Sequence, residues 1–246
     1  MLKGIQYRAL LSLEVIADGG FSYAEIPYEV LANNALPTYK KKSGDNRLLM
    51  VSGLICELHG LTPDKLYDVL ETCRKYQGHY VVMSTMNCEP EVLENVVEEC
   101  AMMISDYKIP IFLENGCRGD DETGYMHNAY SDVSDLMKIA QYCNLLCEEP
   151  MVGICYNIGY GNLLAKNIRS QIYQCKDYLC AIHANDNGGT RNDKQMPYTF
   201  TKGRGDLVTD WYHIVQELIH MEFGGWMIFD TTGLFGRCPE KLQAQY

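Results

Sequence analysis

Four short apolar runs in the second half of the chain each end on a side chain that can bind a proton or a cation. They are Ile111-Phe112-Leu113-Glu114, Ile154-Cys155-Tyr156-Asn157, Cys180-Ala181-Ile182-His183 and Met227-Ile228-Phe229-Asp230. Carboxylate, amide, imidazole and carboxylate supply oxygen, oxygen, nitrogen and oxygen donors. A mixed set of this kind suits a divalent ion such as Mn²⁺, Mg²⁺, Co²⁺ or Zn²⁺. Singly, each residue has a plainer reading as a helix cap, a turn residue or a core histidine. Recurrence at the ends of four successive runs is what points to one shared site.

Such residues meet only if the runs lie side by side as strands. Eight candidates can be read along the chain: Gly4–Tyr7, Tyr23–Pro27, Leu48–Ile55, His79–Ser84, Ile109–Glu114, Val152–Ile158, Leu179–Asn185 and Trp226–Thr231. They are mostly apolar on both sides of the pleat, as parallel strands covered on both faces should be. Between them lie segments with one apolar stripe at helical spacing. Leu66, Val69, Leu70 and Cys73 form one, entered through Thr62-Pro63-Asp64 with proline near a first-turn position. Val92 to Tyr107, Val133 to Cys147 and Trp211 to Ile219 carry others.

One stripe per helix fits an outer layer packed on an inner sheet. Eight strands in this alternation predict an α/β fold, a closed (β/α)₈ TIM barrel, with an open doubly wound sheet as the structural alternative. The few residues after the last strand predict an eighth helix that is short, irregular or missing. With no internal repeat and no linker, residues 1–246 read as a single TIM-barrel domain. In such a barrel the chemistry sits at the carboxyl ends of the strands, where the four polar residues stand.

Composition narrows the partners. The chain has 246 residues, 47% hydrophobic and 22% charged, which is globular chemistry. Its 21 basic against 32 acidic residues give a formal charge of -11, opposite in sign to a nonspecific nucleic-acid binder. The eleven cysteines are odd in number and contain no Cys-x-x-Cys pair; Cys100, Cys143, Cys147 and Cys175 fall at apolar helix positions. They read as buried thiols in a reducing compartment, not as a disulfide framework. The N-terminal apolar stretch is broken by Arg8, Glu14 and Asp18. The expectation is a cytoplasmic protein with a small-molecule carbohydrate substrate, no nucleic-acid or membrane partner, and a possible homo-oligomeric state.

From about Leu48 to Thr232 the sequence resembles the xylose isomerase-like barrels, which include sugar isomerases and epimerases and the endonuclease IV group. The resemblance rests on Phe112-Leu113-Glu114-Asn115, on Val152 to Gly159, on Ile182-His183-Ala184-Asn185-Asp186-Asn187, on Lys202-Gly203-Arg204-Gly205-Asp206 and on Gly224-Gly225-Trp226. Epimerases of the family hold a metal by Glu, Asp, His and Glu, which by position implies Glu114, Asn157, His183 and Asp230. The chain departs at two of these, with asparagine for aspartate at 157 and aspartate for glutamate at 230. Tyr160 stands for a family histidine, and the later Asp-x-His pair resembles Asp193-Lys194-Gln195, again without its histidine. A three-metal endonuclease cluster would need those histidines.

The resemblance implies an isomerase or epimerase that transfers a proton next to a carbonyl, through an enediolate, on a sugar, sugar phosphate or inositol-like substrate. Glu114 and Asp230 would be the catalytic acid/base pair, and His183 a ligand or an orienting group. Arg191, Asp186 and Tyr160 are expected near the substrate, and Lys202 and Arg204 near a phosphate if it carries one. Residues 117–132 follow strand five and read as a lid, with His127 in reach of the site and the Asp120-Asp121-Glu122 run solvated. The competing expectation is a metal-depleted barrel that binds carbohydrate or joins a complex without catalysis. A lyase or hydrolase on the same barrel is a third.

Overall fold

The computed structural model describes residues 1–6, 16, 20–33, 50–200 and 208–235. Eight parallel strands close into a barrel. In chain order they are β1 (Leu2–Gln6), β2 (Tyr23–Pro27), β3 (Met50–Glu57), β4 (Val81–Ser84), β5 (Ile111–Glu114), β8 (Val152–Asn157), β9 (Leu179–Ala184) and β10 (Trp226–Phe229). Closure comes from β1 pairing with β10 on one side, Ile5 opposite Phe229, and with β2 on the other. All eight expected strands are present, and the open sheet is excluded. Boundaries differ by a few residues: β3 begins at Met50, and Leu48, like Tyr7, lies outside the described residues.

Two further strands, β6 (Arg118–Asp120) and β7 (Gly124–Met126), form a small antiparallel hairpin inside the segment expected to be a lid. Asp120, expected to be simply solvated, builds its turn: Oδ1 accepts from the Glu122 and Thr123 amides at 2.9 and 2.7 Å. The hairpin is tied down at Gly119, whose N–H donates to Asn87 Oδ1 at 2.9 Å.

The helices are α1 (Tyr28–Ala32), α2 (Pro63–Lys75), α3 (Val92–Tyr107), α4 (Val133–Leu146), α5 (Ile158–Leu163), α6 (Ile168–Gln174), α7 (Trp211–His220) and α8 (Thr232–Phe235). In α2, Thr62 Oγ1 accepts from the Lys65 amide at 3.2 Å and Pro63 takes the first turn, where no amide is needed. Its buried stripe is the expected Leu66, Val69, Leu70 and Cys73. The last strand is followed by the four-residue α8, in keeping with a short eighth helix. No helix among the described residues is long and apolar enough to cross a membrane.

Strand residues alternate between two environments because side chains point to opposite faces. Val81, Met83, Ile111, Leu113, Ile154, Tyr156 and Ile182 join the helices in the large outer core. Tyr80, Val82, Phe112, Cys155 and Ala181 fill the barrel interior. At the amino end of the strands Trp226 packs against Tyr23, His79 and Tyr80 with ring centroids 5.1, 5.5 and 5.3 Å apart, and Tyr80 stacks on Phe112 at 4.9 Å. These rings floor the barrel. Gly53 makes room for them: a Cβ there would lie 2.4 Å from the Tyr80 ring.

The cysteines are core residues. All ten that are described are free thiols, and all but Cys147 and Cys180 are buried. Burial pushes Cys56, Cys73, Cys117, Cys143, Cys155 and Cys175 up to about 12, so little nucleophilic thiolate exists at neutral pH. Thiol titration with an aromatic disulfide at pH 8 is therefore expected to show a small fast fraction in the native protein and all eleven cysteines in denaturant. Native labelling of the buried thiols at the denatured-state rate would contradict this packing.

Candidate functional site

Above the apolar layers the barrel interior turns polar. Gln6, Glu25, Glu114, Asn157, His183 and Asp230, from six strands or strand ends, are each 2% exposed or less. Burial of so many polar groups requires that they satisfy one another. His183 is the hub. Its Nδ1 lies 2.6 Å from Glu114 Oε1, and its Nε2 lies 3.0 Å from Glu25 Oε1, close enough for an ion pair but off the direction of a hydrogen bond. Gln6 Nε2 donates to the same Glu25 oxygen at 3.0 Å. Asn157 Nδ2 donates to Glu114 Oε1 at 2.8 Å.

The orientation of Asn157 follows from its neighbours. It caps α5, and its Oδ1 accepts from the Tyr160 amide at 3.1 Å. A backbone N–H can only donate, so the oxygen must face it and the NH₂ must face Glu114. Asn185 Nδ2 donates to the same Oδ1 at 3.0 Å. Gly159 permits this: a Cβ there would lie 1.8 Å from Asn185 Oδ1.

At the outer edge of the tier Lys194 Nζ pairs with Asp230 Oδ2 at 2.6 Å; the lysine side chain is 18% exposed. Its charge also reaches Glu114. Burial acts to raise the Glu114 carboxyl, but the facing His183, the hydrogen bonds from His183 and Asn157, and Lys194 together hold it below its usual range. Burial acts to lower His183, and Cys155, Glu25 and Glu114 outweigh it and hold the imidazole well above its usual range. Since the Cys155 thiol is itself pushed up to about 12, the two carboxylates are the charges that keep His183 protonated. The tier therefore sets three acidic side chains against His183 and Lys194.

Glu114, Asn157 and His183 thus meet directly, Asp230 pairs with Lys194 beside them, and the donors of the four do not fit a divalent ion. The Asn157 oxygen is committed to Tyr160 and Asn185, both His183 nitrogens face carboxylates, and Asp230 faces an ammonium. Among the described residues no three His, Cys, Asp or Glu side chains are arranged to hold a metal ion.

Of the expected substrate contacts, Asp186, Tyr160 and Arg191 are described, each with partners of its own. Asp186 is fully buried; its carboxylate accepts from the Phe200 amide at 3.1 Å and the Asn187 amide at 3.0 Å, which fixes the loop after β9. Tyr160 packs with Cys117 and Leu163. Arg191, 62% exposed, reaches Asp121 on the β6–β7 hairpin at 3.5 Å, and His127 points to Asp132 at 3.7 Å with 54% exposure. Lys202 and Arg204 lie outside the described residues. Glu25, Gln6 and Lys194 were not anticipated. Glu25 had a signal, a charge inside the run Tyr23-Ala24-Glu25-Ile26-Pro27, whereas Lys194 had none.

Comparison with known proteins agrees with this architecture. A family model described as xylose isomerase-like TIM barrel matches residues 62–242. The chain belongs to that family. Solved xylose isomerase-like barrels superpose on it along nearly the whole length. The 3-keto-D-glucoside 4-epimerase YcjR from E. coli is 15% identical with a TM-score of 0.66, over 97% of this chain and 100% of that one. D-psicose 3-epimerase from Clostridium cellulolyticum, solved with D-tagatose, is 16% identical at 0.66, over 100% and 95%. The probable 3-DHS dehydratase AsbF from Bacillus anthracis is 9% identical at 0.68, over 100% and 97%. At such identities the likeness is one of fold. No match was found among curated proteins.

Proposed function

We propose that this xylose isomerase-like barrel is a sugar isomerase or epimerase that moves a proton at the carbon next to a carbonyl. The observation that carries the reading is the pair of carboxylates at the carboxyl ends of β5 and β10: Glu114 and Asp230, buried in one polar tier and both under the charge of Lys194. One carboxylate takes the proton from carbon, becoming a neutral acid. The electron pair left behind is delocalised onto the carbonyl oxygen as an enediol or enediolate. A proton is then returned, to the opposite face for an epimerase or to the neighbouring carbon for an isomerase. Glu114, held ionised by His183 and Asn157, suits the base and, once protonated, the acid that returns the proton in an isomerase; Asp230, which can relay a proton from the Lys194 ammonium 2.6 Å away, suits the return to the opposite face in an epimerase. The names of the structural neighbours, two sugar epimerases and a dehydratase, support proton chemistry beside oxygenated carbons.

No step is routed through a metal, because the donor orientations do not offer one a site. The test is incubation in D₂O with a panel of ketoses, ketose phosphates and inososes, read by NMR and mass spectrometry. Incorporation of deuterium at the carbon beside the carbonyl is the expected result. Saturable sugar binding without any exchange would overturn the proposal and favour a binding barrel; elimination of water instead would move it to the lyases.

A further inference from the structure

We infer that the Lys194 ammonium takes the place of the divalent ion at the rim of this barrel, making the site metal-independent by construction. The inference rests on the proton-transfer reading for its chemistry, and on separate geometry for its existence. First, Lys194 Nζ lies 2.6 Å from Asp230 Oδ2, the ligand position that follows β10, and its charge is felt at Glu114 at the end of β5. Second, the backbone is built to put it there. Lys194 has φ of 45°, a left-handed conformation that a lysine adopts only when its surroundings impose it. They do: Asp186 and Gln195 exchange both backbone hydrogen bonds at 2.9 Å, and the Gly233 amide donates to the Lys194 carbonyl at 3.2 Å. Gly233 is needed for this, since a Cβ there would lie 1.8 Å from the Asp193 carbonyl oxygen. The loop after β9 is thereby sewn to the segment after β10, with Lys194 at the stitch.

Third, the residue at 157 matches. A carboxylate there, beside Glu114, would need a cation between the two; the amide of Asn157 instead closes the gap with its own N–H, 2.8 Å from Glu114 Oε1. Asparagine at 157 and lysine at 194 are thus two halves of one exchange: one negative charge removed, one positive charge supplied by the chain. A fixed ammonium can donate to the oxyanion that develops when a proton leaves the adjacent carbon, which is the assistance a bound cation would give.

The experiment uses the full chain stripped with EDTA and titrated with Mn²⁺, Co²⁺ and Zn²⁺ by calorimetry, with metal content measured by mass spectrometry. No stoichiometric uptake is expected; one ion per chain that is lost in Glu114→Ala would overturn the inference. The double variant Asn157→Asp/Lys194→Met restores a carboxylate and removes the resident charge, and is expected to bind Mn²⁺ at least roughly tenfold more tightly than the wild type. Lys194→Arg, which keeps the charge and guards against misfolding of the double variant, is expected to exclude the ion as the wild type does. Equal Mn²⁺ affinity in wild type and a folded double variant, or uptake by Lys194→Arg, would show that Lys194 does not hold the ion's place. These arms read metal and not turnover. A protein that catalyses no exchange would sink the isomerase reading and leave this one standing, while exchange that is abolished by EDTA and restored by Mn²⁺ would sink this one alone.

Discussion

Replacement of His183 by alanine is expected to cost about 3–5 kcal/mol of folding stability, the scale for breaking a buried ion pair by removing one partner. The imidazolium is fully buried between Glu25 and Glu114, 3.0 and 2.6 Å away, and the variant leaves both carboxylates facing a void with no cation between them. Urea denaturation at pH 7 measures the loss. A change below about 1 kcal/mol, the scale of an exposed pair, would mean that His183 does not link these charges. The sign of the pH dependence follows from the two shifts. Glu114 lies below its ordinary 4.5 when folded, so its contribution is present above that value and fades as pH falls through the folded one. His183 lies above its ordinary 6.5, so its contribution is fully present below that value and is lost as pH rises through the folded one. The wild type should therefore be most stable in the window between, and His183→Ala should lack the alkaline fall that His183 causes.

The second large effect is on rate. Glu114→Gln removes the proposed base while keeping size and hydrogen-bonding capacity, and should lower carbon–deuterium exchange by about 10²–10⁴-fold, the usual worth of a positioned general acid or base. Asp230→Asn should give a loss of the same order. Exchange in D₂O, with circular dichroism to confirm the fold, checks both. A loss under tenfold in Glu114→Gln would move the base elsewhere in the tier, with Glu25 the nearest ionisable alternative through His183.

How far the sequence reaches is clearest at particular residues. The strands are legible because each apolar run is covered on both faces and bounded by turns; the β1–β10 closure is not, because eight such runs also fit an open sheet. Glu114, Asn157, His183 and Asp230 were legible as polar residues that end apolar runs. What those residues do with one another was not. Whether the Asn157 oxygen faces the barrel or its own helix depends on the Tyr160 amide, a matter of local backbone geometry. Lys194 reaches Asp230 only because a left-handed turn and a close glycine approach fold its loop inward, and neither leaves a pattern in the residues around it. By its place after β9 Asp186 reads as a substrate contact, and the structure shows its oxygens accepting from backbone amides. The hairpin at 118–126 leaves no signal in the sequence because its strands are three residues long and carry no alternation.

His183 stands on β9 and Glu25 on β2, with β10 and β1 between them around the wall. Their contact therefore crosses the lumen, like a strut between distant staves. A strut of this kind cannot form in an open sheet, so its favourable energy arrives only when the first and last strands join. That junction closes the longest loop in the molecule, Ile5 against Phe229, and bears the largest chain-entropy cost of any pairing in the barrel. Kinetically, the buried charges are then expected to come together late in folding. They are expected to leave the early collapse alone and to slow the reopening of the finished barrel, so that His183, which holds the proposed base ionised, also helps to latch the ring shut.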